Sequence, residues 1–290
     1  MLRLEAPCKI NLLLQVTGRR ADGYHELVTW MQKLDLCDEL LLQLRPVPGI
    51  ALHCDTPSTP AAGDNLAWRA ARLFFERSRR GRGMGVEIGL VKRIPVGAGL
   101  GGGSSDAGTV LRGLNALFDQ EFTETELVKL ATGLGADVPF FAVAHSAVLA
   151  TGIGEVMTPV APLADCTFLL VNPGFAVSTK WVFDNFTLTS KGEHSTLFPS
   201  RNHGAPILSL SDMRNDLEFV TSRAFPEIEQ MKERALEAGA CTAMMSGSGP
   251  TVFGVFPDDS YGQVTVSDVT RRFRLQKRER IFVVRAHVGA

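Results

Sequence analysis

Apolar and polar residues alternate along the first strand that the sequence predicts, CKINLLLQV at residues 8–16. Successive side chains of a strand point to opposite faces, so the alternation divides this segment into two sets. The apolar face carries Ile10, Leu12, Leu14 and Val16. The other face carries Lys9, Asn11 and Gln15. A strand otherwise typical of the core is an unusual place for a solvated lysine, so Lys9 is a candidate functional residue.

The pattern along the rest of the chain predicts a mixture of strands and helices. Further strands are predicted at residues 27–33, 39–44, 86–92, 147–151, 168–171, 243–246, 251–256 and 281–285, with one more inside 46–63. Helices are predicted at residues 65–79, 124–133, 179–185, 212–222 and 226–238, and another begins directly after the glycine-rich stretch, with apolar residues at helical spacing over 110–118. Asp64 is the predicted N-cap of the first helix, and Thr123 with Glu126 forms a capping box for the helix at 124–133.

This order of elements predicts an α+β protein of two lobes, residues 1–158 and 159–290. The boundary is drawn at the proline-containing stretch near residues 158–162. The polar segment 187–205 is predicted to be a mobile surface loop.

Charge and cysteine content exclude several classes of function. The 290 residues carry a formal charge of −1, with 30 basic and 31 acidic side chains, so no global basic field is present to hold nucleic acid or a membrane surface. The five cysteines are scattered and form no CxxC pair, which argues against a disulfide framework or a zinc site and for a reducing, cytoplasmic location. No apolar run is long enough for a membrane span.

The glycine-rich stretch VGAGLGGGSSDAG, residues 96–108, follows a predicted strand and precedes a predicted helix. Backbone N–H groups of such a loop converge beside a helix N-terminus, which favours a phosphate ligand. No lysine follows the glycines, so the P-loop pattern fails. The dinucleotide pattern GxGxxG matches at Gly97, Gly99 and Gly102, but the acids that follow, Asp119 and Glu121, fall at the end of a helix instead of a second strand. From these residues alone, a nicotinamide or flavin enzyme stays open.

Four segments together resemble the GHMP kinases, a superfamily of small-molecule kinases. PVGAGLGGGSSDAG at 95–108 resembles their phosphate-binding loop, and SGSGPTVFGVF at 246–256 resembles a second glycine-rich turn that supports the first. APCKINLLLQVTGRRADGYHE at 6–26 and LGADVPFF at 134–141 are similar to the branch that phosphorylates a CDP-linked sugar alcohol in the non-mevalonate route to isoprenoids. Gly108 stands where that branch usually has alanine, an exchange expected to loosen local packing.

The resemblance implies a two-lobed GHMP fold with the active site between the lobes, and ATP with Mg²⁺ as cofactors. The phosphates would be held by the glycine-rich loop, through Gly97, Gly99, Gly101, Gly102, Gly103, Ser104 and Ser105. Asn65 and Leu66 would form part of the adenine pocket. No carboxylate cluster indicates a metal site, so no residue is predicted as a metal ligand.

For the reaction itself, the resemblance implies Asp137 as the base that receives the hydroxyl proton and Lys9 as its partner. The small-molecule substrate, a CDP-linked alcohol, would be bound by Asn11, Tyr24, His25, Ile153, Thr179 and Phe183. In this arrangement Tyr24 and Phe183 enclose the cytosine, and His25 contacts its edge.

Three alternatives accompany these roles. Asp137 also suits a plain N-cap of the helix that Val138 and Pro139 begin. A GHMP kinase for a sugar or a mevalonate derivative would keep the glycine-rich loop without needing DGYH or Phe183. A nucleotide-binding sensor would need neither Lys9 nor Asp137. The oligomeric state is not predicted.

Overall fold

A computed structural model describes residues 1–56, 60, 62–187, 201–202, 205–206, 208–258 and 266–288. Most of the predicted loop at 187–205 therefore lies outside the described residues. Within the described part of the chain, no helix is long and apolar enough to cross a membrane.

The elements follow one another in an α+β order. The strands are β1 (Leu2–Arg19), β2 (His25–Arg45), β3 (Gly49–Cys54), β4 (Gly85–Val91), β5 (Ala147–Gly152), β6 (Val156–Pro159), β7 (Cys166–Asn172), β8 (Arg201–Asn202), β9 (Ala205–Pro206), β10 (Arg214–Asn215), β11 (Thr242–Met245), β12 (Val252–Pro257) and β13 (Arg280–Val284). The helices are α1 (Leu66–Arg77), α2 (Gly102–Leu117), α3 (Glu124–Thr132), α4 (Val138–Ala142), α5 (Thr179–Asn185), α6 (Glu218–Ala224), α7 (Glu227–Glu237) and α8 (Val266–Arg272).

The first of two compact units comprises residues 1–8, 36–96 and 101–145. Here β4 pairs antiparallel with the end of β2 and parallel with β3. Helices α1 to α4 pack with these strands around one apolar core, which includes Leu42, Phe74, Ile88, Leu114 and Val138. This unit contains the N-terminus of α2, onto which the glycine-rich loop opens.

Helices α2 and α4 approach each other closely at Gly108. A Cβ at this position would lie 2.6 Å from the carbonyl carbon of Phe141, nearer than real Cβ atoms come to backbone. The expectation that this glycine loosens local packing is therefore wrong, because the missing side chain is filled by the backbone of the neighbouring helix.

The second unit comprises residues 9–35, 97–100 and 146–290. It contains the antiparallel sheet β11-β12-β7-β13, the pairing of β5 with β2 and β6, and the parallel pairing of β10 with β1. Its core includes Leu14, Leu169, Ile228, Met245 and Val252. The division into lobes at residue 158 stays a prediction.

Three element predictions need correction. The strands expected at 27–33 and 39–44 form the single strand β2. Asn65, and not Asp64, caps α1, because its side-chain oxygen accepts a hydrogen bond from the N–H of Ala67 at 2.8 Å. The helix expected at 212–222 begins only at Glu218, because the chain before it pairs with β1 as β10.

Candidate functional site

The polar face of β1 is buried in the second unit. Lys9 is 4% exposed and Asn11 is 3% exposed. The Lys9 ammonium donates a hydrogen bond to Asn11 Oδ1 at 2.6 Å, and Asn11 Nδ2 donates to the hydroxyl of Thr29 at 2.8 Å. Thr29 in turn donates to the carbonyl oxygen of Leu13. This chain of hydrogen bonds fixes the direction of both predicted site residues.

The second glycine-rich turn holds residues 97–100 of the loop within the same unit. Ser246 Oγ donates to the carbonyl oxygen of Gly99 at 3.0 Å, and the N–H of Thr251 donates to that of Ala98 at 3.3 Å. Gly99 has a φ of +76°, and a Cβ there would lie 2.3 Å from the carbonyl oxygen of Ser246. The prediction that the second turn supports the first is confirmed for residues 97–100.

That turn also lies beside Lys9 and Asn11. A Cβ at Gly247 would lie 3.2 Å from both Lys9 Nζ and Asn11 Oδ1, and the N–H of Lys9 donates to the carbonyl oxygen of Leu100 at 2.9 Å. The strand, the first part of the loop and the turn therefore form one cluster of charged and backbone polar groups.

The sequence does not predict the role of Asn215, which holds the second glycine-rich turn in place by hydrogen bonds. Its side-chain amide donates to the carbonyl oxygens of Met245 and Gly247 at 2.8 and 2.7 Å, and its oxygen accepts from the N–H of Leu217. The signal was present as a short polar run, RND, inside a segment assigned to a helix. An Asn that bonds local backbone competes with helix formation.

The second part of the loop lies in the first unit, where it begins α2. Gly101, the N-cap, has a φ of +71° and no side chain to satisfy the helix N–H groups. Ser105 Oγ and Thr109 Oγ1 are buried and have no hydrogen-bond partner among the described residues. Buried polar atoms normally have partners, so the Ser105 hydroxyl and the open helix end near it fit an anionic ligand that supplies acceptors. Thr109 lies further along α2 and is not part of this end.

The residues predicted for the adenine pocket lie at the start of α1. Asn65 is buried and its oxygen serves as the helix cap. Leu66 packs near α2, with its Cδ1 3.7 Å from where a Cβ of Gly103 would lie. The structure thus brings Leu66 close to one predicted phosphate-loop residue, while the adenine role of both residues stays a prediction.

Asp137 precedes α4 in the first unit and is half-buried. Although it occupies the N-cap position, its side chain makes no capping hydrogen bond to the helix. The backbone of Asp137 is helical, with φ −86° and ψ −14°, unlike the extended backbone of an ordinary N-cap. Helix capping therefore does not account for this carboxylate.

The predicted cytosine-binding residues lie in the second unit. The rings of His25 and Phe183 are stacked, with centroids 5.1 Å apart, and Phe186 meets His25 edge-on at 6.0 Å. Tyr24 is 60% exposed. Burial lowers the pKa of His25, helped by the positive charge of Arg19 and opposed by Asp184, which favours a neutral ring able to donate and accept.

The two remaining predicted substrate residues are Thr179, at the start of α5, and Ile153, directly after β5. Thr179, the first residue of α5, is hydrogen-bonded through its hydroxyl to that of Ser248 at 2.8 Å, so α5 is tied to the second glycine-rich turn. The N–H of Ile153 donates to the carboxylate of Glu155 at 2.6 Å in the turn after β5.

Comparisons with known proteins agree with this organisation. Residues 65–145 match the family model of the GHMP kinases N terminal domain, and residues 201–274 match that of the GHMP kinases C terminal domain. A homoserine kinase structure from Cytophaga hutchinsonii, at 17% identity and a TM-score of 0.65 over 97% of this chain and 94% of that chain, shares the fold.

Nearer relatives carry one common name. A 4-diphosphocytidyl-2-C-methyl-D-erythritol kinase from Desulfotalea psychrophila is 50% identical over 98% of this chain and 95% of its own length. A kinase of the same name from Pelobacter propionicus is 48% identical over 89% of this chain and 90% of its own length. A crystal structure of a 4-(cytidine 5'-diphospho)-2C-methyl-D-erythritol kinase matches with a TM-score of 0.73 and 32% identity, over 98% of this chain and all of that one. The chain therefore belongs to the GHMP kinases, as a small-molecule kinase of the 4-diphosphocytidyl-2-C-methyl-D-erythritol kinase family.

Proposed function

We propose that this chain transfers the γ-phosphoryl group of ATP to a hydroxyl of 4-diphosphocytidyl-2-C-methyl-D-erythritol, a step toward isoprenoid precursors. The observation that carries the proposal is the cluster in which Lys9 and Asn11 lie against the turn that holds the glycine-rich loop. It occurs in a chain that is 50% identical, over nearly its full length, to a relative named for this kinase.

The loop binds the phosphates of ATP. Backbone N–H groups of Gly97, Gly99 and residues 101–103 point at the phosphate oxygens, and the hydroxyls of Ser104 and Ser105 add donors. The support is the open N-terminus of α2 and the buried Ser105 Oγ, for which the described part of the chain offers no hydrogen-bond partner. Asn65 and Leu66, at the start of α1, contribute to the adenine pocket.

Magnesium accompanies the nucleotide. When bound, Mg²⁺ neutralises charge on the phosphate oxygens during transfer. It binds in such sites mainly through phosphate oxygens and water, so it needs few protein ligands. The N–H groups and hydroxyls at the start of α2 fit the phosphates that would carry the cation, and no protein ligand is assigned to Mg²⁺ itself.

Asp137 takes the proton from the acceptor hydroxyl as the hydroxyl oxygen bonds to the γ-phosphorus and the bond to the leaving ADP oxygen breaks. This role is supported by a carboxylate that caps no helix and sits in an apolar segment. Lys9 supplies the positive charge for the reacting groups, and its fixed hydrogen bond to Asn11 keeps the ammonium directed.

The cytidine end of the acceptor is recognised by aromatic residues. Tyr24 and Phe183 enclose the cytosine, and the neutral His25 hydrogen-bonds to its edge. The exposed ring of Tyr24 and the closeness of His25 to Phe183 support this set of residues. Because His25 stacks on Phe183, the cytosine must displace His25 from the face of that ring to lie between Tyr24 and Phe183. Asn11 orients the erythritol, while Ile153 and Thr179 lie near the base and its linker.

The test is ADP release in the presence of ATP, Mg²⁺ and one alcohol at a time: the CDP-linked methylerythritol, free methylerythritol, mevalonate, homoserine and galactose. We expect turnover with the cytidine compound alone. Turnover with a different alcohol would keep the phosphate loop and overturn the acceptor site. Nucleotide binding without any turnover would favour a sensor.

A further inference from the structure

A buried cluster of three charged residues in the first unit plays no part in the mechanism above. The Lys92 ammonium donates hydrogen bonds to the carboxylates of Asp38, on β2, and Asp106, on α2, the latter at 2.7 Å. Their side chains are 6%, 0% and 4% exposed. Buried charges are costly even when paired, so a cluster of this kind is a weak source of stability and a candidate for another role.

The cluster is hydrogen-bonded to the chain before the glycine-rich loop and includes a residue directly after it. Asp38 Oδ1 accepts the backbone N–H groups of Arg93 and Ile94, at 2.6 and 2.8 Å, where the chain leaves β4 for the loop. Asp106 follows Ser105 directly on α2, where the chain leaves the loop. Lys92 bonds to both of these carboxylates, so its ammonium ties the entry of the loop to its exit.

Gly102, the first residue of α2, lies close to the chain that enters the loop. A Cβ at this position would lie 3.0 Å from Ile94 Cγ2, which is a tight contact, and 3.4 Å from Lys92 Nζ, which is ordinary van der Waals contact. The absence of a side chain at Gly102 therefore lets α2 lie against Ile94 beside the Lys92 bridge.

We propose that Lys92 is a positioning residue for nucleotide binding, which bridges Asp38 and Asp106 and so fixes the two ends of the glycine-rich loop. The inference rests on the proposed function. Lys92 acts through the loop and is not itself a phosphate ligand, because its ammonium is buried and committed to two carboxylates. Asp106 accepts the Lys92 hydrogen bond through Oδ2, while its Oδ1 has no hydrogen-bond partner among the described residues.

Three variants separate the bridge from the charge. Asp106→Asn keeps an oxygen that accepts from Lys92, and Asp106→Ala removes it. Lys92→Met combined with Asp106→Asn removes the bridge while the formal charge of the cluster, counted with both carboxylates ionised, is unchanged. The probe is a nonhydrolysable ATP analogue with Mg²⁺, titrated by calorimetry, alongside the KM for the cytidine substrate. Should Asp106→Ala fail to fold, the double variant carries the test.

We expect the Kd for the analogue to rise about tenfold in Asp106→Ala and in the double variant, since a hydrogen bond to a charged group is lost. Asp106→Asn should stay within about threefold of wild type, and the KM for the cytidine substrate within about twofold in all three. The matched control is Glu279→Gln, which neutralises another carboxylate that is 6% exposed and accepts from Arg234 at 2.8 Å. It should bind the analogue like wild type.

If both Asp106→Ala and the double variant bind the ATP analogue with wild-type affinity, the inference about Lys92 is overturned while the proposed function stands. An equal rise of the Kd for the analogue and of the KM for the cytidine substrate would also overturn it, because that pattern indicates a general loosening of the protein. A wild-type protein that binds no analogue would overturn the proposed function and this inference with it.

Discussion

The ring of His25 stacks on the ring of Phe183, with their centroids 5.1 Å apart and their planes 27° from parallel. The stack joins the end of the first hairpin, which carries DGYH, to helix α5. The two segments to which the family resemblance assigns the cytidine therefore contact each other, through His25 instead of Tyr24.

Replacing Phe183 by alanine should weaken binding of the cytidine substrate. Stacking of a base on an aromatic ring is worth roughly 1–3 kcal/mol, so the KM for the cytidine compound should rise about tenfold or more, with the KM for ATP unchanged. Phe219→Ala is the control, because Phe219 is 71% exposed and removal of its ring affects no proposed contact. A KM within twofold of wild type in Phe183→Ala would place the base elsewhere.

Asp137→Asn should nearly abolish turnover. Loss of a general base typically costs about 10²–10⁴-fold in rate, and the amide preserves the size of the side chain. We expect kcat to fall by this factor while the Kd for a nonhydrolysable ATP analogue holds. Asp64→Asn, an exposed acid in the same unit, should leave both values unaltered. A kcat within tenfold of wild type would remove Asp137 from the mechanism.

Gly99→Ala should impair nucleotide binding. Its Cβ would lie 2.3 Å from the carbonyl oxygen of Ser246, and the positive φ disfavours any side chain, so the loop and the second turn must separate. We expect the KM for ATP to rise about tenfold or more and the melting temperature to fall. Gly63→Ala, at an open position, serves as the control. Unchanged ATP kinetics in Gly99→Ala would show that the loop does not need this contact.

Stability should depend on pH through Asp106. Desolvation raises the pKa of Asp106 to about 7 against the attraction of Lys92, from an ordinary 3.8 that the unfolded chain retains. Between these values the folded protein binds more protons, so the stabilising contribution is complete below pH 3.8 and is lost as the pH rises toward 7.

Chemical denaturation at several pH values measures this effect. The difference in unfolding free energy between wild type and Asp106→Asn should change by at most about 1.4 kcal/mol per pH unit between pH 4 and 7. Parallel curves for the two proteins would mean that Asp106 titrates normally in the folded state.

The sequence predicts what depends on local chemistry. Three predicted features depend only on residues close together in sequence, and the structure has all of them: the run of glycines before α2, the capping box at Thr123 and the polar face of β1. The capping of α1 was assigned one residue early, because Asp64 and Asn65 are both good caps and only the fold decides which oxygen reaches the first turn.

Long-range hydrogen bonds could not be predicted in this way. Asn215 bonds carbonyl oxygens 30 and 32 residues further along the chain, and Asp38 bonds Lys92 across 54 residues. The residues next to Asn215 in sequence indicate only a polar turn, and those next to Asp38 only a charged end of a strand. The partner is set by the tertiary fold, so these residues become visible only in the structure.

The central claim is that a cytidine-linked alcohol is the acceptor, and the ratio of two specificity constants tests it most directly. We would measure kcat/KM for the CDP-linked methylerythritol and for free methylerythritol under the same ATP and Mg²⁺ concentrations. The account predicts a ratio of about a hundredfold or more in favour of the cytidine compound, because stacking and hydrogen bonding to the base are lost without it. Equal values would contradict the account, since Tyr24, His25 and Phe183 would then contribute nothing to recognition.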